Sequence, residues 1–210
     1  MSTYANNIEQ VKKITTRNQD NIKVLSQASF WISDVKQIDG SNKIQIEFHS
    51  KSNWLKVVQE QSKECSLFPV DGNDGVFLKG GLTVDDKNLF VYEWRTEKGV
   101  ERKDAGDCDC LIIEDRWHFI EFKTEASSEE IHQINNNRNK GEAQLAKSMT
   151  SFKEQLTDEK IKCVCVLVVP IFFSFPRFRA NFSRKPRFLK LFKVELIEVT
   201  TDGNHSYSLI

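Results

Sequence analysis

The sequence contains no apolar run of the roughly 20 residues that a membrane-spanning helix needs. Its opening stretch, MSTYANNIEQVKKITTRNQD, is polar throughout and lacks the apolar centre of a secretory leader. We therefore expect a cytoplasmic protein without a membrane partner.

The chain also lacks an excess of charge of either sign. Its 30 basic and 30 acidic residues give a formal net charge of zero. Proteins that coat nucleic acid nonspecifically carry a basic excess, so this class is excluded. Any nucleic-acid binding must come from charge that is segregated locally.

Cysteines are few and odd in number, which argues against a disulfide framework. Four of the five form two C-x-C pairs inside apolar runs, and no spacing matches the usual zinc signatures. We expect small buried residues at Cys65, Cys108, Cys110, Cys163 and Cys165. The chain also has no phosphate loop and no G-x-S-x-G motif, so those two enzyme classes are not indicated.

Residues 107–123, DCDCLIIEDRWHFIEFK, join two apolar runs of strand character with acids at one end and Glu-Phe-Lys at the other. Side chains two apart in a strand project from the same face, so Glu121 and Lys123 share one side. Charged groups beside a core are costly, which suggests that a function keeps them there. The alternative is a hairpin whose ends carry ordinary solvated charges.

The turn between the two runs decides where the first acid lies. A three-residue turn over residues 114–116 pairs Ile113 with Trp117. That register carries Asp109 opposite Glu121, within reach of a shared cation. A two-residue turn would send Asp109 to the other face.

This pattern resembles the core of the PD-(D/E)xK nuclease-like superfamily, in which an acid on one strand precedes Glu-x-Lys on the next. On that resemblance Asp109 is the first acid, Glu121 the second and Lys123 the lysine. The proline that names the motif is absent, since Gly106 and Asp107 precede the first run. The resemblance implies metal-assisted phosphodiester hydrolysis with Mg²⁺ or Mn²⁺ bound by Asp109 and Glu121, because hard cations prefer carboxylate oxygens. Lys123 would orient the attacking water, act as a base or screen developing charge.

A helix is expected over residues 142–156, where apolar residues recur at helical spacing. Gln144 flanks this stripe and resembles a glutamine that one subgroup of the superfamily brings to the site, although Ser148 replaces the expected aromatic residue. A solvated glutamine on a helix edge is the alternative. Before it, a capping box at Ser127 predicts a short helix that ends within the asparagine run and Gly141.

The resemblance implies an α/β fold with a central mixed β-sheet flanked by helices, in a restriction-endonuclease-like α-β-β-β-α-β order. The first helix is assigned to residues 53–64 and the first strand to residues 88–94, and the last strand to residues 162–169. Some relatives take a further metal ligand from the first helix. Glu64, or else Glu60, is the candidate.

Residues 171–193 contain seven phenylalanines and seven basic residues but no acid. Basic residues neutralise phosphates and exposed aromatic rings stack on bases, so this segment is a candidate nucleic-acid surface. Two of its residues are prolines, which favours a loop over a regular helix. The alternative reading is core phenylalanines among solvated charges, or a surface for a protein or an anionic membrane. The candidate contacts are Arg177, Arg179, Arg184, Lys185 and Arg187.

At this length we expect one α/β domain over residues 26–210, preceded by a polar extension over residues 1–25. The function that the sequence favours is a metal-dependent nuclease, acting on DNA rather than RNA. The rivals are a catalytically inactive domain of the same fold that binds nucleic acid or a protein, and an unrelated domain with an accidental D...ExK pattern. A homodimer is left open.

Overall fold

The fold is taken from a computed structural model that describes residues 3–15, 19–61, 63–71, 90–156, 161–170, 179–201 and 206–209. The helices in these ranges are α1 (Thr3–Ile14), α2 (Ile131–Gln155) and α3 (Arg179–Phe192), with a 3₁₀ turn at Gln19–Asn21. None of the helices found in the described ranges is long and apolar enough to cross a membrane.

The largest sheet is mixed and has the strand order β1-β5-β8-β9-β10-β11. Neighbours are antiparallel from β1 to β9, whereas β10 runs parallel to both β9 and β11. A parallel neighbour requires a crossover connection, and α2 provides it between β9 and β10. The strands are β1 (Lys23–Leu25), β5 (Cys65–Pro69), β8 (Cys110–Ile113), β9 (Trp117–Phe122), β10 (Cys163–Val169) and β11 (Glu195–Thr200).

Two smaller sheets accompany it. One has the order β12-β4-β2-β3, and the other pairs β6 with β7. These strands are β2 (Ser29–Lys36), β3 (Asn42–Glu47), β4 (Leu55–Val58), β6 (Val91–Thr96), β7 (Gly99–Asp104) and β12 (Ser206–Ser208).

The core lies on both faces of the large sheet. Alternate residues of β9 show the division, since Trp117 and Phe119 pack with the helices. Ile120 and Phe122 pack instead with the four-stranded sheet. The molecule is therefore layered, with helices on one side of the large sheet and a second sheet on the other.

The helix predicted over residues 53–64 is wrong. Asn53 has a positive φ of 65°, and the chain then forms β4 and enters β5. Within β4, Leu55 and Val57 are buried whereas their neighbours are partly exposed, which is the alternation of a strand. Two adjacent valines also favour a strand over a helix, and the second sheet supplies the partner that settles the choice.

The strand predicted over residues 88–94 is correct only in part, because β6 begins at Val91 and does not join the large sheet. The strand next to β8 is instead β5, which is buried along its whole length. β6 is anchored on α2, where Asn136 accepts from the Arg95 N–H at 2.9 Å and donates to its carbonyl at 2.7 Å.

The two helices expected between Ser127 and Leu156 are one helix of 25 residues. α2 continues through the asparagine run and through Gly141 because these residues pack rather than terminate it. Asn136 is 1% exposed and Gly141 is buried against the large sheet. Tertiary contacts have therefore overridden weak local helix propensity.

Residues 1–25 were expected to be a polar extension, but their described part packs on the domain. Val11 of α1 is fully buried in the helical layer of the core, with Ile8 and Ile14 packed against that layer. β1 pairs with β5 at the edge of the large sheet. The apolar residues of α1 are sparse, which is why composition alone suggested a tail.

The basic segment was expected to be largely irregular, yet its described part contains α3. Pro186 lies inside this helix, where proline normally costs about 3 kcal/mol. Phe188 is buried and stacks near Phe192, with ring centroids 4.7 Å apart. The apolar contacts of these two rings offset the free-energy cost of the proline. Residues 171–178 lie outside the described residues.

Candidate functional site

The predicted hairpin has the turn and register that the sequence indicated. Ile113 pairs with Trp117 across residues 114–116, and β8 and β9 keep this register along the whole of β8. One further step in the same register brings Asp109 level with Glu121. The three-residue turn is therefore confirmed.

Asp109 lies at the end of this ladder with its carboxylate against β9. Its Oδ2 accepts a 2.5 Å hydrogen bond from the Phe122 N–H, and only 8% of the residue is exposed. Burial raises the pKa of Asp109 well above its usual range, Glu121 raises it further, and Lys123 opposes both. Asp109 is thus a buried acid in the field of the other two predicted residues.

Glu121 of β9 and Lys123, the residue after β9, meet on the side of the sheet that α2 covers. Lys123 Nζ donates to Glu121 Oε1 and, over 3.0 Å, to Gln144 Oε1. Glu121 is 1% exposed, yet its Oε2 has no hydrogen-bond partner among the described residues. A buried carboxylate oxygen without a donor is costly, and it leaves lone pairs for a cation.

The charged groups of the site shift one another's pKa values. Burial raises the pKa of Glu121, while Lys123 and then Lys140 lower it. Burial opposes charge on Lys123, but Glu121 and Asp109 outweigh it and raise the pKa of the lysine. Lys123 is therefore an ammonium at neutral pH, which favours stabilisation of negative charge over action as a base.

Gly141 lets α2 approach this site closely. A Cβ atom at this position would lie 2.5 Å from Leu167 Cδ1 and 3.5 Å from both Glu121 Cγ and Lys123 Cε. Only the absence of a side chain allows such contact, which explains a glycine in the middle of a long helix. The helix thereby excludes solvent from the Glu121–Lys123 pair.

Two polar residues of α2 hold the segment that leads into Asp109. Gln144 is 4% exposed, and its Nε2 donates to the Asp107 carbonyl at 2.8 Å. Ser148 Oγ accepts from the Cys108 N–H at 2.8 Å. Gln144 is therefore part of the site, and Ser148 has a positioning role that the sequence did not reveal.

The second sheet brings an acid that sequence reasoning missed. Asp34 of β2 lines a small cavity together with Asp71 and Asp109. Burial raises the pKa of Asp34 to about 6, although Asn42 Nδ2 donates to it at 2.5 Å and lowers it. Asp34 is far from the hairpin in sequence, and it has no motif that marks it.

Glu64, the predicted first-helix ligand, lies at the wrong end of the sheet. β5 runs antiparallel to β8, so that Ser66 pairs with Ile113 at the hairpin turn and Pro69 pairs with Cys110 near the site. Glu64 directly precedes Cys65, and the four steps of strand from Cys65 to Pro69 span about 13 Å. The structure therefore does not bring Glu64 to Asp109. Glu60 is exposed nearby and pairs with Lys63.

The basic residues of the predicted nucleic-acid surface are only partly described. Lys185 and Arg187 of α3 are exposed. Arg184 instead pairs with Glu142 of α2 at 2.8 Å. Arg177 lies outside the described residues, and of Arg179 only the backbone, in α3, is described.

The described residues contain no group of three or more His, Cys, Asp or Glu side chains arranged to hold a metal ion. The cysteines are all free, and all are buried except the half-buried Cys163, as expected for small residues in strands. A cation at the hairpin would therefore rely on Asp109, Glu121 and oxygen ligands such as water, which is how Mg²⁺ is commonly bound.

In comparisons with known proteins, no family model matches this sequence, and no curated protein or solved structure matches it either.

Proposed function

We propose that this protein is a metal-dependent nuclease that hydrolyses phosphodiester bonds, in DNA rather than RNA. The observation that carries the proposal is the convergence of Asp109, Glu121, Lys123 and Gln144 at one end of the large sheet. Their residue types are those of a PD-(D/E)xK site. The order β5-β8-β9-α2-β10, with β10 alone parallel to β9 among these strands, also agrees with that resemblance.

The residues present suit Mg²⁺ or Mn²⁺. Two buried carboxyl groups, those of Asp109 and Glu121, lie in the field of the Lys123 ammonium, and Glu121 Oε2 has no partner among the described residues. Asp109 and Glu121 would hold the cation. When bound, it would lower the pKa of a coordinated water and stabilise charge on the phosphate.

Lys123, Gln144 and helix α2 have the remaining roles in the proposed reaction. Lys123, held between Glu121 and Gln144, presents an ammonium that attracts the phosphate and stabilises the charge that develops on it. Gln144 fixes the position of Lys123 and of the Asp107 backbone. α2 excludes water from the pair, which strengthens these electrostatic interactions.

The basic surface of α3 supports nucleic acid as the substrate. Val168, one residue before the end of β10, pairs with Phe122 at the site end of the sheet, and α3 follows along the chain. Its exposed Lys185 and Arg187 supply the local positive charge that a neutral chain needs to bind phosphates.

Cleavage of linear, circular and single-stranded DNA and of RNA should be assayed with Mg²⁺ and with Mn²⁺. We expect D109N and E121Q to abolish cleavage and to weaken Mn²⁺ binding in calorimetry. The matched control is D115N, because Asp115 is an exposed acid in the turn of the same hairpin.

Because the acids of the site have raised pKa values, Mn²⁺ binding should strengthen as pH rises and should release protons. Binding of nucleic acid without cleavage of any substrate would contradict the nuclease and favour an inactive domain of this fold. Failure to bind Mn²⁺ would contradict the metal site itself.

A further inference from the structure

Lys140 is a cation of α2 at the rim of the candidate site. It lies one helical turn before Gln144, so the two side chains share a flank of the helix. Its neighbour Gly141 lies beside Glu121 and Lys123, because a Cβ atom at that position would be 3.5 Å from both Glu121 Cγ and Lys123 Cε. The charge of Lys140 acts on the buried Glu121 carboxylate. Its side chain is half-buried, so part of it remains accessible to solvent.

Several other cations near this point are paired with acids. Lys123 is bound to Glu121, and three further basic residues of α2 and α3 form ion pairs. These pairs are Arg138 with Glu198 at 2.7 Å, Lys147 with Asp107 at 3.2 Å and Arg184 with Glu142 at 2.8 Å. Within the described ranges, the ion pairs include none for Lys140.

A half-buried ammonium beside an acidic site is suited to a phosphate. Nucleic-acid backbones bind lysine as a point charge, and such contacts supply affinity without sequence preference. We infer, on the basis of the proposed function, that Lys140 binds a backbone phosphate of the substrate next to the bond that is cleaved. Lys140 would thus hold the strand while Lys123 acts on the reacting phosphate.

The test compares K140A, K140Q and K140R with K153A. Lys153 is an exposed lysine on the same helix, and its charge acts on Cys163 at the opposite end of the sheet. Cleavage kinetics should be measured with each variant, and DNA affinity should be measured against salt concentration in the D109N background, which prevents cleavage.

We expect K140A and K140Q to lower kcat/KM by about tenfold and the salt slope of log Kd against log salt by about 1. K140R should recover most of the loss because a guanidinium also binds phosphate. K153A should behave as the wild type. Thermal melting should show that K140Q remains folded.

A wild-type salt slope and wild-type kcat/KM in K140A would overturn the inference and leave the nuclease standing. An equal loss in K140A and K153A would also overturn it, because the effect would then reflect general charge. A wild-type protein that neither cleaves nor binds nucleic acid would overturn the proposed function as well.

Discussion

Lys123, the residue that follows β9, donates a 3.0 Å hydrogen bond to Gln144 of α2, and so joins the hairpin to the crossover helix at the candidate site. The same ammonium neutralises Glu121, which is 1% exposed. Stability and the proposed activity therefore depend on the same side chains.

Removal of Lys123 should leave Glu121 as a buried charge without a partner. We expect K123A to lower the free energy of unfolding by about 3 kcal/mol at pH 7. E121Q/K123A should recover much of this loss because the glutamine carries no charge. Urea unfolding of the two single variants and the double variant measures the coupling.

The deficit of K123A should also depend on pH. Without Lys123, the pKa of Glu121 in the folded state lies further above its unfolded value, so the folded state binds more protons. Stability of K123A therefore falls as pH rises through that window and recovers as pH falls. A deficit that is the same at pH 5 and pH 8 would contradict the buried pair.

Asp34 should give the metal-free protein a second pH-dependent contribution. Its pKa is 3.8 in the reference state and about 6 in the fold. Between these values the folded state holds more protons, so the free energy of unfolding falls as pH rises. Above about pH 6 the destabilisation is complete.

Relative to D34N, the wild type should therefore lose about 1–2 kcal/mol between pH 4 and pH 7, a figure reduced for solvent screening of a partly exposed group. Guanidinium unfolding in EDTA at several pH values measures the difference. Parallel curves for the wild type and D34N would show that Asp34 is not desolvated.

Gly141 should tolerate no side chain. A Cβ atom would lie 2.5 Å from Leu167 Cδ1, and Leu167 is buried, so it can move aside only by displacing the residues packed around it. We expect G141A to cost about 1–3 kcal/mol by overpacking, although alanine is the better helix former by about 1 kcal/mol. Cleavage should fall too, because Glu121 and Lys123 adjoin the new methyl group.

G106A is the matched control for this substitution. A Cβ atom at Gly106 would meet Gln144 Nε2 at 3.8 Å, which is an ordinary contact. Unfolding and cleavage of G106A should remain near the wild type. Shortening the neighbour in G141A/L167A should cost less than the sum of the two single changes, and strict additivity would argue against the clash.

Asn136 should anchor the β6–β7 pair to α2. Its side chain satisfies both backbone groups of Arg95, so N136A leaves them without these partners. We expect a loss of about 1–3 kcal/mol and faster hydrogen exchange of the Arg95 amide. N139A removes one exposed bond to the Glu93 carbonyl and should change stability by less than about 0.5 kcal/mol. Equal effects of the two variants would refute the anchor.

Sequence alone determined the parts of the site whose geometry is local. The two-residue period of a strand placed Glu121 and Lys123 on one side. The register that carries Asp109 was predicted on a three-residue turn, and the structure decided between this turn and a two-residue one. The apolar run of β10 and the helical stripe at Gln144 were equally readable. Each of these features depends on residues that are close together in the sequence.

Only the tertiary structure decided the rest. The local sequence of residues 53–64 is compatible with a helix or a strand. Pairing with neighbouring strands selects the strand. Gly141 and Asn136 weaken a helix in isolation, yet both hold α2 in place through contacts with distant strands. Asp34 reaches the cavity beside Asp109 because a second sheet covers the first. The physical reason is common to all three: packing free energies from distant partners exceed the differences in local propensity, which reach about 1 kcal/mol per residue.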